Sequence, residues 1–169
     1  MGWFRRKGAG DQGDDGGRDA GAGAPGAMEP VAEVPERAVV EPVSAEDRQR
    51  IEVALAELAA AGVDVDDLDS IGAGLDAAFA AWEAQPEPRE GHDTVIARFA
   101  LGLGEHLHRH TDLRWGIVTD AFGTDLGVAG TGRGDFVVVP GNLIAVRWLR
   151  RETGWVPGVV GHIVRMRSR

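Results

Sequence analysis

The region from residue 114 to residue 151 most constrains the fold, because strand-forming residues gather there between turn signals. Its three β-rich segments cover residues 115–119, 126–129 and 136–139. Asp120 and Gly123 stand between the first two segments, and a glycine-rich run, residues 130–134, stands between the second and the third. Asp bonds to turn backbone readily and Gly adopts positive φ, so both connections are predicted to be hairpins. Pro140 lacks a backbone donor and is predicted to end the third strand.

Three helices are predicted before the strands. Apolar residues recur every three or four positions in the segments that start near Ser44, Leu68 and Asp93. Ser44 is a favourable N-cap, and Gly62 is suited to end the first helix in the left-handed conformation. The second segment carries the most regular apolar stripe in the chain, which is typical of a helix that packs on a core.

Two helices are predicted after the strands. Asn142 is expected to cap a helix over residues 143–151, and Pro157 suits the first turn of a last helix. The predicted fold class is therefore α+β, with three N-terminal helices, a three-stranded antiparallel meander and two C-terminal helices. Residues 136–139 are apolar at every position, so both faces of the sheet need cover. We expect the N-terminal helices to cover one face and the C-terminal segments to cover the other, and the alternative cover for the second face is a second copy of the chain.

The beginning of the chain differs in composition from the rest. Residues 1–43 are rich in Gly, Ala, Pro, Asp and Glu, so they are predicted to form a disordered N-terminal tail. Residues 44–169 are predicted to form a single α+β domain. Within the tail, residues 3–7 run from Trp3 to Lys7 and combine two aromatic with three basic side chains. One hypothesis is weak contact of this segment with an anionic membrane surface, and the alternative is that it has no role.

Charge and cysteine content exclude several protein classes. The net charge of −9 disfavours a general nucleic-acid-binding protein, which needs a basic surface. The chain has no Cys, so it is predicted to use neither disulfides nor thiolate chemistry. No apolar run approaches the roughly 20 residues that span a bilayer, and no secretory signal is recognisable. A cytoplasmic location is therefore expected.

One group of side chains suggests metal chemistry. Glu105, His106 and His110 lie near the end of the third predicted helix, and the two imidazoles are four residues apart on one helix face. A metal-dependent hydrolase built on these residues is one hypothesis, although the HExxH pattern is absent. The alternative is a polar helix end, where imidazoles interact favourably with the helix dipole. On this second interpretation no metal and no cofactor are bound.

Arginine is concentrated on the helix after the strands. At about 100° per residue, Arg147, Arg150 and Arg151 fall within one sector of that helix. This arginine face is a candidate binding surface for a carboxylate, a phosphate or an acidic partner. The alternative is a solvated face whose arginines pair with carboxylates of the same chain.

A pattern of short motifs resembles a bacterial domain-of-unknown-function family that is common in actinobacteria. The residues that carry the resemblance are Gly104, Glu105, Trp115, Asp120, Phe122, Gly123, Asp125, Pro140 and Arg147. Phe122 stands where the family also has Tyr, which removes a hydroxyl from that position. The resemblance covers roughly residues 90–151. It implies a small α+β domain and no particular activity.

The function expected from the sequence is a non-enzymatic interaction module with an arginine face. Its partner is predicted to be another protein or a small anionic ligand. The hydrolase that uses Glu105, His106 and His110 is the alternative from a different class. An uncovered face of the sheet favours the module, whereas a pocket that joins these residues to Asp120 or Asp125 favours the enzyme.

Overall fold

The structure is a computed structural model that describes residues 38–87, 91–120, 123–130 and 135–168. The helices and strands within these residues are, in chain order, β1 (Val39–Glu41), α1 (Ala45–Ala60), α2 (Leu68–Glu83), α3 (His92–His110), β2 (Arg114–Asp120), β3 (Gly123–Gly130), β4 (Phe136–Val138), α4 (Pro140–Leu149) and α5 (Val156–Arg167). The fold is α+β, with five helices and a four-stranded antiparallel sheet in the described part of the chain.

The sheet contains one strand more than the sequence predicts. The strands are ordered β1-β2-β3-β4, so β2, β3 and β4 form the predicted meander. The extra strand, β1, pairs with the far end of β2, with Val40 opposite Val118. Strand β1 lies within residues 1–43, which are predicted to be a disordered tail, and that prediction is wrong for this strand. A segment of three strand residues is too short to show the alternation of apolar and polar residues that indicates a strand. The rest of that stretch, including Trp3 and Lys7, lies outside the described residues.

The ends of the helices follow local rules. The side chain of Ser44 accepts a hydrogen bond from the backbone N–H of Asp47, whose carboxylate accepts one from the Ser44 backbone in return, forming a capping box. Gly62 has a φ of 79°, as predicted for the end of α1. The prediction that Asn142 caps α4 is wrong, because α4 begins at Pro140. The proline ring holds φ near the helical value, and the backbone N–H that proline lacks would have no partner within the helix at the first helical position.

All helices that contact the sheet lie on the same face of it. This inner face carries Trp115, Val128 and Val138, which are neighbours on three adjacent strands and pack in the hydrophobic core. Helix α3 contacts β2 and β3, and α4 contacts β3. The prediction that C-terminal segments cover the second face is wrong. Helix α5 packs on α2 and α3 instead, because its buried residues join the same core.

The core lies between the inner face and the helices. Leu58, Ile71, Leu103 and Ile144 come from four different helices, and each is at most 1% exposed. Position 104 must be small, because a Cβ on Gly104 would overlap the indole ring of Trp115. The close approach of α3 to the sheet therefore depends on this glycine. None of the described helices is long and apolar enough to cross a membrane.

Candidate functional site

The last two turns of α3 carry most of the polar residues that the sequence singled out. Glu105 accepts a hydrogen bond from Arg109 Nε at 2.8 Å, and Arg109 Nη1 donates to Asp66 at 2.8 Å. His110 Nε2 donates to the other oxygen of Asp66 at 3.1 Å. We call Asp66, Glu105, His106, Arg109 and His110 the α3 polar cluster. Burial opposes ionisation of Asp66, but its bonds to His110 and Arg109 outweigh that effect and lower its pKa.

His106 occupies the buried end of this cluster. Its side chain is 4% exposed, and its Nδ1 donates to the backbone oxygen of Val65 at 2.8 Å. Burial lowers the pKa of His106, since a charged imidazole loses its hydration there. The rings of His106 and His110 lie 4.4 Å apart at an angle of 33°. His106 is therefore a neutral hydrogen-bond donor that joins α3 to the loop between α1 and α2.

Glu105 and Trp115, two residues of the family pattern, are directly bonded. The indole Nε1 of Trp115 donates to Glu105 Oε2 at 2.9 Å, while Gly104 leaves room for the ring. The carboxylate of Glu105 thus has a donor at each oxygen, since Oε1 accepts from Arg109. The Gly-Glu and Trp motifs of the pattern accordingly meet where α3 packs on β2.

The hydrolase residues are close in space, but each already bonds to protein. Glu105 bonds to Arg109 and Trp115, and His110 bonds to Asp66. In the described part of the chain, no group of three or more His, Cys, Asp or Glu side chains could hold a metal ion. The roles of Asp66 and Arg109 are not predicted from the sequence. The spacing of four residues between Glu105 and Arg109 is the signal that points to their ion pair.

The aspartates of the predicted hairpin lie away from this cluster. Asp120 pairs with Gly123 at the end of β2 and β3, and Asp125 lies opposite Val118. Trp115 is five residues from Asp120, which is about 17 Å along an extended strand. The structure therefore does not join Asp120 or Asp125 to the histidines. Pro140, another residue of the pattern, is buried in the first turn of α4.

The three candidate arginines have different surroundings. The guanidinium of Arg147 lies 4.5 Å from the ring centroid of Trp155, and its Nη1 donates to the Leu143 carbonyl oxygen at 3.0 Å. Arg151 bonds to Glu83 at 2.8 Å. Arg150 is the most exposed, with 69% of its side chain accessible and its nearest carboxylate, Glu152, at 3.9 Å. Only Arg150 therefore extends freely enough to meet a ligand without first breaking a close contact.

The arginine face borders a shallow cleft between α2 and α4. The cleft has a volume of only about 10 Å³, and it is lined by Leu75, Asp76, Phe79, Ile144, Trp148, Glu152 and Trp155. The indole N–H of Trp148 is buried and has no hydrogen-bond partner in the described part of the chain. A water molecule is the smallest acceptor that would satisfy this donor.

The outer face of the sheet is the other surface that carries no packed helix within the described residues. Strand alternation places Val40, Val118, Ala129 and Val137 on this face, opposite to the side chains that enter the core. Val40 is 44% exposed, and Ala129 and Val137 are half-buried. Val118 is 1% exposed and lies outside the core cluster, and Gly116 and Gly127 beside it are buried as well, so the accessible apolar residues of this face are toward its edges.

Comparisons of the chain with protein-family models, with curated proteins and with solved structures found no match. The resemblance to the actinobacterial family of unknown function therefore stays a prediction.

Proposed function

We propose that this chain is a non-enzymatic interaction module that binds a protein partner through the outer face of its sheet. The observation that carries the proposal is that the packed helices lie on the inner face, which leaves an apolar β surface without a helical layer in the described residues. Apolar sheet faces are normally packed in globular proteins, so the residues of this face that stay accessible, Val40 at 44% and the half-buried Val137, mark a surface for association. The net charge of −9 favours a protein partner over nucleic acid.

The contacts of the α3 polar cluster support the non-enzymatic interpretation. Both oxygens of Glu105 accept hydrogen bonds from protein donors, Arg109 and Trp115, so a metal ion bound by this carboxylate would have to compete with them. We expect zinc to leave the melting temperature of the protein unchanged. A zinc-dependent rise that disappears in H106A would favour the hydrolase instead.

Binding of an anion by the arginine face remains a second component of the proposal. Arg150 is its most exposed member, and it is separated from Glu152 by 3.9 Å. A phosphate or carboxylate would gain a charge-assisted bond from this guanidinium. Titration with inorganic phosphate, followed by NMR, should shift the signals of α4 in the unmodified protein and not in R150Q.

Photo-crosslinking inside the expressing cell tests the main proposal. A photoreactive amino acid at Val40 or Val137 places the probe on the outer face, and the same probe at Val53 places it on α1. Val53 is the matched control because it is 47% exposed, close to the 44% of Val40. We expect discrete adducts from the outer face and none from Val53. No adduct from either outer-face position would contradict the proposal.

A further inference from the structure

The indole N–H of Trp148 is a buried donor that no acceptor satisfies within the described residues. Trp148 lies in α4 and is 5% exposed, and its Nε1 atom has no hydrogen-bond partner there. Trp115, by contrast, donates its indole N–H to Glu105 at 2.9 Å. A buried donor without an acceptor destabilises a fold, because water solvates the same group in the unfolded chain. Trp148 therefore requires an acceptor.

The cleft between α2 and α4 has the size of one such acceptor. Trp148 lines this cleft, whose volume is about 10 Å³. One water-sized sphere occupies roughly 10–15 Å³, so the volume of the cleft matches a single water molecule. The side chains of Leu75, Phe79 and Ile144 are apolar parts of the lining and offer no acceptor to the indole.

Two carboxylates line the same cleft and restrict the charge of its occupant. Asp76 belongs to α2, and Glu152 to the connection between α4 and α5. Asp76 Oδ2 accepts from the backbone N–H of Gly154 at 2.9 Å, which fixes the position of this carboxylate. Both carboxylates would repel an anion, whereas the positive end of the indole N–H dipole would repel a cation. The occupant is therefore neutral, and it must both accept and donate hydrogen bonds.

Water meets all of these requirements. We propose that the cleft binds one ordered water molecule, which accepts a hydrogen bond from Trp148 Nε1 and donates one to Asp76. Buried waters make about three hydrogen bonds, and the carboxylate of Glu152 is the third partner. A bridging water is nearly as favourable as a direct hydrogen bond, so this site joins α4 to α2 and to the connection that follows α4.

The ring of Phe79 is the competing acceptor for the indole. The rings of Phe79 and Trp148 lie at 86° to each other, with their centroids 4.9 Å apart. A bond from an N–H group to an aromatic face is weaker than a bond to oxygen, and it would not involve Asp76. The two arrangements differ in the acceptor of the indole hydrogen, and NMR distinguishes them.

Water–protein NOE spectroscopy of the full chain provides the test. The chain has five tryptophans, and the indole signal that W148F lacks is the signal of Trp148. We expect this proton to give cross-peaks at the water frequency, with opposite signs in NOE and ROE spectra, because a bound water tumbles with the protein. Chemical exchange with solvent gives cross-peaks of the same sign in both spectra.

A substitution on α2 tests the second partner of the water. D76L should lose the bound-water cross-peak, because Leu has no acceptor and is large enough to fill the cleft. D69L is the matched control, since Asp69 is exposed on the same helix and does not line the cleft, and it should keep the cross-peak. D76N should also keep it, because the amide oxygen of Asn is an acceptor.

Two outcomes would overturn the inference. The first is the absence of a bound-water cross-peak for Trp148 in the unmodified protein. An upfield shift of its indole proton that disappears in F79L would then identify the Phe79 ring as the acceptor. The second is a cross-peak that keeps its intensity in folded D76L, as judged by circular dichroism, because the water would then be held without Asp76. The measurement on the unmodified protein decides the first outcome even if D76L does not fold.

Discussion

At the residue scale, His106 links the stability of the fold to pH. It is 4% exposed and neutral, and burial lowers its pKa in the folded state below the ordinary value of 6.5. The unfolded chain therefore binds a proton at a pH where the folded chain does not. The stability that depends on neutral His106 is complete above pH 6.5 and is lost as the pH falls through the lower, folded-state pKa.

We predict that the free energy of unfolding falls below pH 6.5, with a slope of up to about 1.4 kcal/mol per pH unit from this residue. H106N should reduce that slope, because Asn keeps a donor for the Val65 carbonyl oxygen and cannot be protonated. Urea denaturation between about pH 5 and pH 8 measures the effect. H92Q is the control, since the side chain of His92 is 39% exposed. If the free energy of unfolding of H106N depends on pH as strongly as that of the unmodified protein, the pH dependence comes from other groups.

At the element scale, the approach of α3 to the sheet depends on one missing side chain. A Cβ at Gly104 would overlap three ring atoms of Trp115, whereas a Cβ at Gly158 in α5 would meet nothing within 4 Å. G104A should destabilise the protein by about 1–3 kcal/mol, the range for overpacking. G158A should stabilise it by up to about 1 kcal/mol, because Ala favours helix. Thermal melting compares them, and equal effects would disprove the role given to Gly104.

Strand β1 gives a second prediction at this scale. A chain that begins at Ala38 keeps β1, and a chain that begins at Ser44 keeps the cap of α1 but loses the strand. We expect the shorter chain to be less stable by roughly 1–2 kcal/mol and to melt several degrees lower. Differential scanning calorimetry of the two chains measures this difference. Equal melting temperatures would show that β1 contributes nothing to stability.

At the scale of the whole molecule, an ion pair joins helix α5 to the segment between α3 and β2. Arg167 is 4% exposed and bonds through Nε and Nη2 to the two oxygens of Asp112, each at 2.9 Å. Asp112 lies between α3 and β2, so this pair joins α5 to the point where the helices meet the sheet. The Arg167 guanidinium also lies 5.4 Å from the ring centroid of Phe136 on β4.

R167M should destabilise the protein by about 3 kcal/mol, because it leaves the carboxylate of Asp112 without its partner. R165M is the matched control, since Arg165 is exposed on the same helix and should change stability little. Urea denaturation of both variants measures the difference. A loss below about 0.5 kcal/mol in R167M would show that the pair adds little to stability.

Helix positions, the meander and the α+β class could be predicted from the sequence because they depend on local signals. Ser44, Gly62 and the periodic apolar residues of α2 act within a few positions of themselves. Tertiary contacts decided the rest. The sequence around Val159 does not indicate that α5 packs on α2 and not on the sheet. The sequence around Asp66 likewise does not indicate that this carboxylate bonds to Arg109 and His110, more than forty residues later. The contact of Val40 with Val118 likewise appears only when the strand register is known.

Strand β1 also has a consequence for the order of folding. Val39 pairs with Thr119, 80 positions later, whereas the β2–β3 hairpin forms across residues 120 and 123. The hairpin closes a very short loop, and β1 must close a long one, which costs more chain entropy. During synthesis about 80 further residues must therefore be made after β1 before its partner strand is complete. We expect β1 to dock after the hairpin and to exchange its amide hydrogens first when the native sheet opens.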